Sequence, residues 1–66
     1  MWSKEQIIKL INEDIEKFIK EDYTEIIHEV FDKAYIKGLI DMAQMSGVIT
    51  LEQEKQLKER LNNENN

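Results

Sequence analysis

No cysteine occurs among the 66 residues, so the chain has neither a disulfide framework nor a thiolate metal site. One histidine, His28, rules out a multi-histidine metal site within one chain. The two glycines, Gly38 and Gly47, stand far apart, and a phosphate-cradling loop needs them clustered. No apolar run approaches the roughly 20 residues that span a bilayer. The N-terminus lacks the basic start, apolar middle and small-residue cleavage site of a secretory signal, so a cytoplasmic location is expected. Basic charge is also short. The net charge of −5 and pI of about 4.8 speak against a non-specific grip on nucleic acid or an anionic membrane.

What the chain does have is helical periodicity. Its hydrophobic fraction is 41%, and that fraction is gathered into stripes at spacings of three and four. Met1 to Lys20 reads as the first helix, with Ser3 as its N-cap. Ser3 and Gln6 form a capping box, and Trp2 is placed to close over Ile7 as a hydrophobic staple. Ile7, Ile8, Ile11, Ile15, Phe18 and Ile19 share one face, with Leu10 off it. Glu5–Lys9, Glu13–Lys17 and Glu16–Lys20 are acid-first pairs four apart, each worth a few tenths of a kcal/mol.

The longest segment, Tyr23 to Ser46, reads as one helix, unbroken or mildly kinked at Gly38. Its first half carries Tyr23, Ile26, Ile27, Val30, Phe31 and Ala34 on one side. Its second half carries Tyr35, Ile36, Leu39, Ile40, Met42 and Ala43 on a side roughly 150–170° away. One stripe is expected to meet the first helix. The second is expected to meet the C-terminal segment, a second copy or a target. Tyr35, Ile36, Leu39, Ile40, Met42 and Ala43 are therefore the candidate partner or dimer interface. A break at Gly38 that resets the phase is the alternative.

A short turn near Glu21 and Asp22 separates the two helices, with Asp22 and Glu25 as a second capping box. One unbroken helix from Lys4 to Ser46 is the competing possibility. Gly47 closes the central helix in the left-handed conformation, with Val48 folding back as in a Schellman motif. Thr50 and Gln53 cap a short third helix anchored by Leu51, Leu57 and Leu61 and supported by Glu54–Lys58. Residues 62–66 read as a disordered polar tail.

These features predict an all-α domain over residues 1–61. It is a small three-helix bundle of two long antiparallel helices and a short C-terminal one, completed by dimerisation. A chain this short buries only about 60% of its surface, and with no covalent or metal staple it is left with association.

No catalytic group is expected. His28 lies beside an apolar stripe with no nucleophile grouped with it, and the carboxylates sit on solvated helix faces. No cofactor is expected either. The function that follows is a non-enzymatic, self-associating interaction module acting as inhibitor, adaptor or regulator of a larger, unidentified protein. Richness in Ile, Lys, Glu and Asn fits an AT-rich coding sequence, as in low-GC bacteria and their phages or mobile elements. Two other roles compete. A helix-turn-helix at Ala43–Val48 would bind DNA, although its second helix is polar at Gln53 and Gln56 and carries Glu52, Glu54 and Glu59. Acidic faces such as Glu13, Asp14 and Glu16 would instead mimic nucleic acid.

Overall fold

A computed structural model describes residues 2–63. Three helices follow one another: α1 (Lys4–Lys20), α2 (Ile26–Met45) and α3 (Leu51–Asn63). Each packs on the other two, as a three-helix bundle requires. Met1 and residues 64–66 lie outside the described residues. Helix α3 runs on through Asn62 and Asn63, which sequence alone assigned to the tail.

The helix starts form as their residues dictate. Ser3 Oγ accepts from the Gln6 amide at 3.1 Å, and Gln6 Oε1 accepts from the Ser3 amide at 2.8 Å. Thr50 and Gln53 repeat this reciprocal pair at 3.1 and 2.8 Å. Each box satisfies two amides that the first turn otherwise leaves without partners. Trp2 does not close over the core. It stays exposed beside a shallow hollow shared with Gln6 and Leu10.

The exit from α2 is a Schellman motif. Gly47 has φ of +80°, its amide donates to the Gln44 carbonyl at 3.1 Å, and the Val48 amide donates to the Ala43 carbonyl at 2.8 Å.

The core holds Ile11, Ile15 and Phe18 of α1, Ile36, Ile40 and Ala43 of α2, Leu61 of α3, and Ile49 from the turn before it. Ile7, Ile8, Ile19, Leu39, Val48 and Leu57 pack around these. The face predicted for α1 is the face it buries. Leu51, expected as an anchor of α3, is exposed instead. It is the first helical residue after the Thr50 cap and points outward, and Ile49, two residues earlier, takes the inward position.

Polar contacts tie α3 to its neighbours across long sequence separations. Arg60 reaches α1, donating to Asn12 Oδ1 at 3.0 Å and forming an ion pair with Glu16. Lys58 donates to Asp41 of α2 at 2.5 Å and lies 3.7 Å from Glu54. Of the expected helix pairs, Glu16–Lys20 forms at 3.6 Å and Glu54–Lys58 at 3.7 Å; Lys9, expected against Glu5, lies 3.9 Å from Glu13.

The Asp41–Lys58 contact makes stability depend on pH at both extremes. The hydrogen bond from Lys58 holds the Asp41 carboxyl below its ordinary value of 3.8, and the same bond raises Lys58 above 10.5. A depressed carboxyl contributes stability that is present above its unfolded value and lost as pH falls through the folded one. A raised amine contributes below its unfolded value and loses it as pH rises past the folded one. The thermal midpoint of Asp41→Asn is thus expected to trail the native chain's near neutrality. The gap should close in acid below pH 3.8. A gap unchanged across that range would show that the pair does not set the difference.

Candidate interaction surface

Helix α2 is one continuous helix through Gly38, and it does have two opposed apolar sides. Ile36, Ile40 and Ala43 fall within an arc of about 60° at 100° per residue. Ile27, Phe31, Ala34, Gly38, Met42 and Met45 fall within about 80° on the far side of the cylinder. The first set is 3%, 0% and 4% exposed. On the far side Ile27 is 57%, Phe31 66% and Met45 81% exposed.

The sequence-derived partner interface is corrected accordingly. Ile36, Ile40 and Ala43 lie in the chain's own core, and Leu39 is half-buried against it. Only Tyr35 and Met42 of that set stay exposed. The stripe expected to meet α1 turns outward, apart from Tyr23, whose ring packs on Phe18 at a centroid distance of 5.5 Å.

The segment before α2 also departs from the expected tight turn. A tight turn at Glu21 and Asp22 would lay the start of α2 directly against the end of α1. The chain is instead extended at Glu21 (ψ 135°) and at Glu25 (φ −127°, ψ 131°). Glu25 rather than Asp22 is the N-cap, and it makes no side-chain capping bond. An extended residue advances about 3.3 Å against 1.5 Å in a helix, so such residues lengthen the connection between α1 and α2. Every residue from Thr24 to His28 is exposed. Ile26, Ile27, Val30 and Phe31 are all more than half exposed and lie outside the core cluster that α1 joins.

Farther along, α1 and α3 both press on the 36–40–43 side, which leaves the opposite side bare. Its middle is made of small residues, Ala34 and Gly38. A Cβ added at Gly38 would meet no atom within 4 Å. Asp41 stands at the edge of the bare strip, and Lys58 draws its carboxylate toward α3.

Around the start of α2 the polar groups pair locally. The Tyr23 hydroxyl donates to Asp32 Oδ2 at 2.6 Å, and burial together with that bond pushes the Tyr23 phenol well above the usual tyrosine range. His28 Nε2 lies 3.4 Å from Glu25 Oε2, with both side chains largely solvated. The hollow between Phe18, Tyr23, Asp32 and Ile36 opens broadly to solvent and brings together no nucleophile with a base.

The outward strip was partly readable beforehand. Positions 27, 31, 34, 38, 42 and 45 follow a spacing of 4, 3, 4, 4 and 3 along the whole helix. The larger Tyr35, Ile36, Leu39 and Ile40 mark a change of phase at its midpoint that masks this spacing. Among the described residues no helix is long and apolar enough to cross a membrane. No family model matches the chain, and neither a curated protein nor a solved structure matches it.

Proposed function

We propose that the chain is a non-enzymatic, self-associating protein-interaction module whose association surface is the outer face of α2, and that it serves as an inhibitor, adaptor or regulator of a larger protein. The observation that carries this reading is an uncharged apolar strip running the length of a helix about 30 Å long, on which Ile27, Phe31, Met42 and Met45 are all more than half exposed. A monomer rarely leaves so long an apolar patch in water, and such patches mark association sites.

Duplex binding through the Gly47 turn has less in its favour. Two of the three cations of α3, Lys58 and Arg60, are engaged by Asp41, Glu54 and Glu16 of the same chain. Little basic charge is left on α3 to meet phosphate. Nucleic-acid mimicry by Glu13, Asp14 and Glu16 is weakened in the same way, since Lys9, Lys20 and Arg60 sit against Glu13 and Glu16.

Site-specific photo-crosslinking tests the reading. A photoreactive residue in place of Phe31, in protein produced in its native cell, is expected to give discrete protein adducts. The same group at exposed Glu59 on α3 is expected to give none. Equal labelling at both positions, or none at either, overturns the proposal.

A further inference from the structure

We infer that the outer face of α2 is covered by a second copy of this chain, the two α2 helices packing antiparallel across Ala34 and Gly38. The inference rests on the interaction reading above and assigns its occupant.

Four features of the strip point to a second copy. The first is its order of side-chain sizes. Bulky Ile27 and Phe31 stand at one end, small Ala34 and Gly38 in the middle, and flexible Met42 and Met45 at the other. Reversed about its midpoint, near residue 36, the strip complements itself. Ala34 meets Gly38 of the other copy, Ile27 meets Met45, Met42 meets Val30 at the strip's edge, and Phe31 falls beside Asp41, whose carboxylate Lys58 draws toward α3. Small residues face small ones, which lets the axes approach the near end of the usual 8–10 Å range. The methionines, unbranched and adaptable, fill the space beside the rigid Ile27 and Phe31.

The second feature is Gly38 itself. A glycine inside a helix costs about 1 kcal/mol relative to alanine. Within one chain nothing requires it, because a side chain there would enter open space. A helix backbone crossing at that point does require it.

The third is area. Ile27, Phe31, Met42 and Met45 on the strip, and Val30 and Tyr35 at its edges, are more than half exposed. Covering them takes on the order of 800 Å² from each copy, the contribution of one partner to a standard stable interface. The fourth is charge. Residues 21–32 carry five carboxylates: Glu21, Asp22, Glu25, Glu29 and Asp32. A parallel pair would bring ten of them together at one end, whereas an antiparallel pair holds the two groups at opposite ends.

The test is the mass of the chain across a dilution series by sedimentation equilibrium, combined with two variants. The native chain is expected to reach twice 7.9 kDa at high micromolar concentration and to dissociate on dilution. Gly38→Leu puts a good helix former into space that is empty within one chain, so the helix content holds. Its bulk drives the two backbones apart, and dissociation is expected to become about ten- to a hundred-fold easier. Phe31→Glu is expected to stay single at every concentration. A native chain that never exceeds the single mass overturns the second-copy assignment. So does a dimer whose affinity neither variant alters. In either case adducts from position 31 to a different protein leave the broader interaction reading standing.

Direction is read separately, on the cysteine-free background. Ile27→Cys and Met45→Cys, mixed in equal amounts and oxidised, are expected to give the mixed disulfide well beyond the twofold excess over either same-position product that random pairing gives. A ratio at or below twofold overturns the antiparallel arrangement.

Discussion

Ile40→Ala is expected to leave the chain largely unfolded at room temperature. Ile40 is 0% exposed and belongs to the cluster through which all three helices meet. Truncating such an isoleucine removes its burial and leaves a cavity, at a cost of about 2–5 kcal/mol. A single core in a chain of this size supplies roughly 3–5 kcal/mol in all. Loss and reserve are therefore of the same size. Ile27→Ala removes the same atoms from a side chain already 57% exposed, so in dilute, monomeric solution it is expected to change stability by under about 1 kcal/mol. Urea denaturation followed by far-ultraviolet circular dichroism checks the pair. Equal midpoints would place Ile40 and Ile27 in equivalent surroundings and contradict the inside–outside assignment of α2. Ile36→Glu, which places a carboxylate in the core, tests folding rather than association and cannot map an interface.

Helix α1 could be read almost completely from its own residues, because one stripe and one capping box both pointed to the same helix and the same buried face. The Gly47 turn could be read for a similar reason: a left-handed glycine followed by a capping box has few local alternatives. In α2 the opposition of the two apolar sides was legible, but which side lay inside was not. Tyr23 to Ala34 and Tyr35 to Ala43 are comparably apolar, and nothing within the helix ranks them. The choice falls to groups outside the helix: the connecting segment 21–25, extended at Glu21 and Glu25, and the distant polar clasps of Lys58 on Asp41 and Arg60 on Asn12 and Glu16. Ile49 was hidden for a simpler reason. It lies outside any helix, where periodicity says nothing, while Leu51 fits the pattern and faces solvent. The candidate surface inherits the same limit, since a strip that is one-sided by pattern becomes a surface only once the other two helices have taken their places.

The two glycines are expected to respond to substitution with opposite signs. At Gly47 the φ of +80° lies where an L side chain crowds the backbone, at a cost of about 1–2 kcal/mol, and a β-branched residue fits worse than most. That conformation also aims the Gly47 and Val48 amides at the Gln44 and Ala43 carbonyls and delivers Ile49 to the core. Gly47→Val is thus expected to lower the thermal midpoint by about 10 °C or more, since 1 kcal/mol corresponds to roughly 4–8 °C in a domain this small. Gly47→Asn, which tolerates the left-handed region, is expected to lose less. Gly38 sits in ordinary helix geometry with open space where a Cβ would stand. Gly38→Ala should therefore raise the midpoint of the monomer by several degrees, through the smaller conformational freedom of the unfolded chain. Melting curves in dilute solution separate the two effects. A Gly47→Val chain that melts with the native one would mean that the turn closes through another geometry, and Ile49 would then need another explanation for its burial. A Gly38→Ala chain that melts lower would mean that the helix is not regular at that point. The central strip, and any close crossing over it, would then have to be redrawn.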